Sequence, residues 1–354
     1  MSDNSGSVPP KLLLAVLFLT FGYLHAQLPT YTNFKQSDVF DEPVTPSCHA
    51  STIVELGPDH LLVAWFGGSR EGAKDVAIYA GERVGGEWSR PRQLVAPLVR
   101  EGDTLPCWNP VLFRSARGRL YLFYKVGKNP REWFGAMLTS DDDGRHWSDP
   151  RYLPDGFLGP IRNKPIEIEA GTLLCGSSTE SPLTDEWRVH LERYHEADDR
   201  WEKVEVPNPR EFEIIQPTFL RHGGDTLQIL CRSKHDRLVS SWSYDRGRSW
   251  TEADTVAVPN SNSGVDAVTL ASGHFLLVNN PLPRGENWWN GRSVLDVEWS
   301  PDGVHWQPLL DLERHAEGEY SYPAIIQAAD GTVHVVYTHD RRSIRHASFR
   351  LGSD

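Results

Sequence analysis

The sequence predicts an all-β chain folded as a six-bladed β-propeller, and three observations carry that expectation. A strand–turn–strand unit recurs six times. A hairpin motif ending in tryptophan recurs between the units. No long stretch with helical apolar spacing competes with either.

The six units share one plan: a polar residue, usually a proline after it, an apolar strand, a Gly/Asp turn and a second apolar strand. They read HASTIVELGPDHLLVAWF from His49, NPVLFRSARGRLYLFYK from Asn109 and KPIEIEAGTLLCGSS from Lys164. The others are QPTFLRHGGDTLQILCR from Gln216, DAVTLASGHFLLVNN from Asp266 and YPAIIQAADGTVHVVYT from Tyr322. Their starts are 60, 55, 52, 50 and 56 residues apart. The runs have strand length, are rich in Val, Ile, Leu and aromatics, and are bounded by turn residues. About 55 residues suffice for a four-stranded sheet, which cannot bury both faces alone; radial stacking completes the core. Residues 27–47 are expected to add a strand to the last blade and close the ring, so that 27–354 form one domain.

Between the units, Ser243-Tyr-Asp245-Arg-Gly247-Arg-Ser249-Trp250 fits Ser-x-Asp-x-Gly-x-Ser/Thr-Trp, the Asp-box. Ser140 to Trp147 fits it with His146 before the tryptophan, and Ser300 to Trp306 is one residue short. Trp88 and Trp201 close degenerate copies. Asp and Gly make a tight turn, and the Trp packs its large ring between sheets. These Asp and Ser residues are expected to be structural.

The net charge is −12, which argues against a nucleic-acid surface because phosphate binding needs a basic face. Residues 12–26, LLLAVLFLTFGYLHA after Lys11, read as the apolar region of a secretory signal peptide cut near Ala26. A secreted or periplasmic protein without a stable membrane span after cleavage is expected. The four cysteines fit no zinc pattern. Cys48 and Cys107 occupy equivalent places in neighbouring units, so a disulfide and two buried thiols are both open; Cys175 and Cys231 read as core. Neither metal-ligand spacing nor a nucleotide-binding loop appears, and no cofactor is expected.

In a propeller the inner-strand starts gather around the axis. Here they are His49, Asn109, Lys164, Gln216, Asp266 and Tyr322, six different polar side chains where a structural rim would tolerate small or apolar ones. That variety points to a pocket. The loop after the first unit adds Arg70, Glu71 and Asp75 among glycines. Arg232 ends the second strand of the fourth unit, and Arg292 precedes a later strand. Converging arginines suit a carboxylate, which they bind bidentately. Trp108, Trp133, Trp288 and Trp289 are candidates for stacking on sugars.

The six-fold plan, the Asp-boxes and Glu319-Tyr320-Ser321-Tyr322-Pro323 resemble the sialidase (neuraminidase) superfamily, especially its bacterial "predicted neuraminidase" branch with BNR/Asp-box repeats. CHASTIVELGPDHLLVAWFGGSREGAKDVAIY, CWNPVLFR, GPIRNKP, IQPTFLR, NSGVDAVTL and GEYSYPA support it, and the resemblance covers residues 45–350. It implies a sialidase-type propeller and an exo-acting glycosidase on an acidic sugar, such as a sialic or uronic acid of an extracellular glycan. Arg232 and Arg292 match two positions of the family's arginine triad, and Arg70 the loop arginine. Tyr320 or Tyr322 would be the nucleophile and Asp75 or Glu71 the acid/base. Two departures stand out. Cys48-His49-Ala50 replaces the first triad arginine, and Gln216 replaces the glutamate that activates the tyrosine. Glutamine cannot take a proton. Two alternatives therefore stand beside hydrolysis. One is a propeller lyase on uronate-containing glycans, with His49 and Tyr322 as acid and base and Lys164 or an arginine on the carboxylate. The other is a non-catalytic glycan-binding propeller.

Overall fold

The computed structural model describes residues 27–287 and 289–352. The expected signal peptide, residues 1–26, and Trp288 lie outside the described residues. Among the described residues there is no helix long and apolar enough to cross a membrane.

Six antiparallel sheets follow one another along the chain, each starting at the axis and ending at the rim. Blade 1 runs Ser47–Gly57, His60–Gly68, Ala77–Val84 and a split outer edge, Glu87–Trp88 with Arg92–Val95. Blade 2 comprises Cys107–Arg114, Leu120–Val126, Phe134–Ser140 and Arg151–Tyr152. Blade 3 comprises Ile166–Glu169, Thr172–Glu180, Trp187–His195 and Arg200–Glu205. Blade 4 comprises Ile214–Arg221, Leu227–Ser233, Arg237–Ser243 and Asp254–Pro259. Blade 5 comprises Asp266–Thr269, Phe275–Asn279, Val294–Ser300 and Gln307–Arg314. Blade 6 takes Tyr320–Gln327, Val333–His339 and Ser343–Leu351, and its outer strand is Tyr31–Asp38 from the other end of the chain. That strand pairs antiparallel from Tyr31↔Leu351 to Asp38↔Arg345, closing the ring as expected. A small hairpin, Leu98–Arg100 with Asp103–Leu105, is inserted between blades 1 and 2.

Burial follows radial position. The second strand of blade 2, Leu120–Val126, is buried at every residue, as a strand covered on both faces must be. The outer strand of blade 4 alternates, and Tyr31–Asp38 is exposed throughout. Among the described residues the apolar core is divided rather than central. Six apolar clusters fill the six gaps between neighbouring blades. Trp65 lies at the 6–1 gap and Trp299 at the 5–6 gap, both at most 1% exposed. By area alone each ring contributes about 4–6 kcal/mol.

The cysteines settle into different gaps: Cys48 in 6–1, Cys107 in 1–2, Cys175 in 2–3 and Cys231 in 3–4. All four are buried free thiols, so the Cys48–Cys107 bond that the spacing left open does not form. Blade 1 stands between them.

The Asp-boxes are turn locks. In blade 4, Asp245 Oδ1 accepts from Ser243 Oγ at 2.8 Å and from the Arg248 and Ser249 amides, each at 2.9 Å. The Gly247 amide donates to Ser243 Oγ at 2.7 Å, and Trp250 closes the turn against the 3–4 core. Asp142 and Asp302 repeat the pattern in blades 2 and 5. The structural reading of these residues agrees with the geometry.

Candidate active site at the axial cavity

The inner strands of blades 1, 2, 4 and 6 each carry one extra residue near their start. Ile215 pairs with Arg232 and Thr218 with Leu230, so the inner strand advances three residues while its partner advances two. The same slip occurs at His49–Thr52, Trp108–Val111 and Ser321–Ala324. A bulge of this kind re-aims a side chain. At each bulge one residue adopts left-handed backbone: Ala50 (φ 54°), Asn109 (38°), Gln216 (57°) and Tyr322 (53°). Three of them precede a proline, which disfavours helical backbone for its neighbour. Left-handed backbone costs a non-glycine residue about 1–3 kcal/mol, and such strain gathers at functional sites. Asn109, Gln216 and Tyr322 are thereby aimed into one cavity of about 450 Å³ at the axis.

The bulges also correct the first unit. The residue equivalent to Asn109, Gln216 and Tyr322 is Ala50, not His49. His49 sits one position earlier and is 2% exposed, its ring 4.3 Å from that of Tyr322. Burial holds it neutral, well below the usual imidazole range, with help from Arg341, Arg292, Arg162 and Arg232.

Arg232 is the hub. Its Nη1 donates to Tyr322 Oη at 2.7 Å and to Gln216 Oε1 at 3.2 Å. Its Nε and Nη2 both donate to Asn262 Oδ1, at 3.2 and 3.1 Å. None of these hydrogen-bond partners is a carboxylate. The Trp187 indole covers it, 5.0 Å from ring centroid to guanidinium carbon. The ring of Tyr322 also faces the guanidinium groups of Arg162 at 5.4 Å and Arg292 at 5.8 Å. Burial pushes its phenol up, but the charges of Arg232 and Arg292 outweigh that, and the net direction is down. Gly264 packs closely beside this ring: a Cβ there would lie 3.3 Å from Tyr322 Cγ.

Three carboxylates line the cavity, Glu71, Glu180 and Asp185. Glu71 is ion-paired with Arg341, which also donates to Glu319 at 2.7 Å. Arg292, 1% exposed, lies behind the cavity wall with its Nη1 2.8 Å from the same Glu319. Sequence reasoning missed Arg341, Arg162, Glu180, Trp187 and Asn262. Arg162 lay in the GPIRNKP segment and Asn262 in the segment around Asp266, whereas the place of Arg341 beside Glu71 follows only from ring closure.

Other expected residues stand elsewhere. Asp75 is exposed and folds back on its own loop, accepting from the Ser69 amide and hydroxyl, each at 2.9 Å. Arg70 is exposed on the same loop and does not line the cavity. Lys164 and Asp266 pair with each other at 2.7 Å, below the cavity. Asp266 also accepts from Thr218 Oγ1 and the Ile325 amide, tying blades 3, 4, 5 and 6 together. Tyr320 is 5% exposed and sandwiched between His315 and His339, each 4.8 Å away. Trp108 and Trp133 form an edge-to-face pair on the cavity wall, whereas Trp289 is half exposed. A larger recess, about 860 Å³, opens at the opposite ends of blades 1 and 6; its arginines Arg83, Arg114 and Arg350 are paired with Asp59, Asp143 and Asp330.

Comparison with known proteins places this geometry in a family. The BNR repeat-like domain model matches residues 59–335. Among curated proteins, none matches the chain. By structure it is similar to a protein of unknown function from Dyadobacter fermentans, with 13% identity, TM-score 0.70, and coverage of 90% of this chain and 99% of that one. It is similar to the Trypanosoma rangeli sialidase, with 14% identity and TM-score 0.70, over 90% of this chain but 59% of that longer one. It is similar also to the intramolecular trans-sialidase of Ruminococcus gnavus, with 13% identity and TM-score 0.67, over 89% of this chain and 97% of that one. At these identities the likeness is one of fold. The chain belongs to the BNR repeat-like family and has the six-bladed propeller of the sialidase superfamily.

Proposed function

We propose that the axial cavity is the active site of an exo-acting glycoside hydrolase for an acidic sugar at the end of an extracellular glycan. The observation that carries this reading is Tyr322. It stands on a strained bulge, its phenolic oxygen is held by Arg232, and two further guanidinium groups face its ring. Those charges favour the phenolate, a nucleophile that the glutamine at 216 need not activate. In this role Tyr322 attacks the anomeric carbon, and Arg232 and Arg341 attract the sugar's carboxylate. Trp133, half-buried on the cavity wall, is placed to stack on the ring, with the core residue Trp108 packed behind it. Asn109 and Gln216 are placed to bind hydroxyls.

Gln216 also favours a second reading, elimination from a uronate-containing glycan. There the Tyr322 phenolate would remove the proton beside the carboxylate, and no carboxylate base is required. The two readings separate on product: hydrolysis releases an intact monosaccharide, and elimination an unsaturated one seen by its mass and ultraviolet absorbance. Incubating the protein with sialosides, glucuronides and uronate oligosaccharides decides between them. Tyr322→Phe should abolish turnover in either case while Tyr320→Phe preserves it. Binding to such glycans without turnover would refute both. N-terminal sequencing of the exported chain tests whether secretion accompanies this role.

A further inference from the structure

We propose that Glu180, at the end of the second strand of blade 3, is the proton donor to the leaving group in the hydrolytic reading above, on which this assignment rests. The family resemblance pointed instead to the loop of blade 1. There Asp75 is turned onto Ser69, and Glu71 is ion-paired with Arg341. Asp185, the third carboxylate of the cavity, is held by Arg131 and by Lys234 at 3.3 Å. Among the described residues Glu180 alone of the cavity carboxylates has neither an ion pair nor a hydrogen bond to its carboxyl group.

Its surroundings suit a neutral acid. Glu180 pairs directly across the hairpin with Trp187, so the two side chains share a face of the sheet. The indole in turn covers Arg232, which holds Tyr322. Acid and nucleophile are therefore joined through two intervening side chains. A carboxyl group set against an indole and partly withdrawn from water is a recurrent way to keep a general acid protonated near neutrality. Burial raises Glu180; Arg232, Arg131 and Lys234 oppose that and Asp185 adds to it, and the net direction is up.

The step balances. The Tyr322 phenolate forms a bond to the anomeric carbon as the glycosidic C–O bond breaks. The departing oxygen takes the bond pair and the Glu180 proton. Water then attacks the same carbon, gives a proton back to Glu180 and releases Tyr322 as phenolate.

The test compares two leaving groups in wild type, Glu180→Gln and Glu71→Gln. An aryl glycoside leaves without protonation, whereas the natural-type alkyl or oligosaccharide glycoside needs it. For Glu180→Gln, turnover of the alkyl glycoside should fall by about 10²–10⁴-fold while formation of the tyrosyl intermediate from the aryl glycoside persists. Its alkaline limb in the pH profile should vanish, and added azide should restore turnover of the aryl glycoside, whose tyrosyl intermediate it captures as the glycosyl azide, seen by mass. An equal loss on both substrates overturns the assignment, as does a leaving-group-dependent loss in Glu71→Gln instead. If the wild type hydrolyses none of the acidic glycosides, the hydrolase reading itself fails and takes Glu180 with it.

Discussion

Replacing Arg232 with methionine removes the cation that donates a hydrogen bond to Tyr322, the proposed nucleophile. Four hydrogen bonds disappear: two to Asn262, one to Gln216 and one to Tyr322. Gln216, Tyr322 and Asn262 all line the cavity, where water can replace part of what is lost. Asn262 is 3% exposed, and its orphaned Oδ1 costs about 1–3 kcal/mol. Against this, burial is the main cause that lowers the pKa of Arg162 and Arg292, and the like charge of Arg232 adds to it, so its removal relieves part of that strain. The net change in stability is therefore small, a drop of a few degrees at most by differential scanning fluorimetry. Catalysis should suffer far more, because the loss of one preorganised donor costs about 10²–10³ in kcat. The pH profile should move as well. In the proposed mechanism Tyr322 reacts as the phenolate, so activity is expected to rise with pH through its pKa. Arg232 holds that pKa down, and without it the acidic limb shifts to higher pH. Arg232→Lys keeps the charge but not the fork, and should recover part of the loss. Wild-type activity in Arg232→Met, or a limb that stays in place, would refute the role given to this side chain.

Other outcomes follow from the fold. Asp245→Ala should lower stability by about 1–2 kcal/mol in urea titrations, discounted for partial exposure, without changing kcat. Burial raises its carboxyl, but bonds from Ser249, Ser243 and Arg248 hold it at about 2, below the ordinary 3.8. Its contribution is therefore complete above pH 3.8 and lost as pH falls through about 2. The buried pair His334 and His346, 3.0 Å apart, titrates at about 4 and about 3, chiefly through burial. The unfolded chain takes up these protons below pH 6.5 and the folded one does not, so stability should fall from 6.5 downward; His346→Phe should reduce that slope. All four thiols should resist a thiol reagent until the protein unfolds, since burial pushes Cys48 and Cys107 up to about 12. Reductant should leave the intact mass unchanged.

The blades were legible because their period is a property of the chain itself. Each strand pair is local, and even ring closure could be read from the leftover segment before His49. On the inner strands the cavity-facing position is legible where a proline follows the bulge residue in blades 2, 4 and 6. Asn109, Gln216 and Tyr322 each precede one, and all three line the axial cavity. Blade 1 has Ser51 instead, and without that marker the reading slipped by one residue onto His49. Second-strand ends were read for Arg232 but not for Glu180, although both ends face the same cavity. Charge compensation was not legible at all. Whether Asp75 meets a ligand or Ser69, or Lys164 meets a ligand or Asp266, depends on distances set by tertiary packing.

The pairing of Tyr31–Asp38 with Ser343–Leu351 has a consequence for biosynthesis. The first strand to leave the ribosome must wait for the last. At about 5–20 residues per second, the interval between Tyr31 and Leu351 is on the order of 15–60 s. Through that time a free edge is on offer to any passing partner. Its sequence, YTNFKQSD, is mostly polar, carries a lysine near its centre and remains exposed even in the finished ring. It is a poor template for stray pairing, and it docks only when a matching edge arrives. The latch is thus selective by composition, and a chain cut short before Ser343–Leu351 would leave Tyr31–Asp38 unpaired.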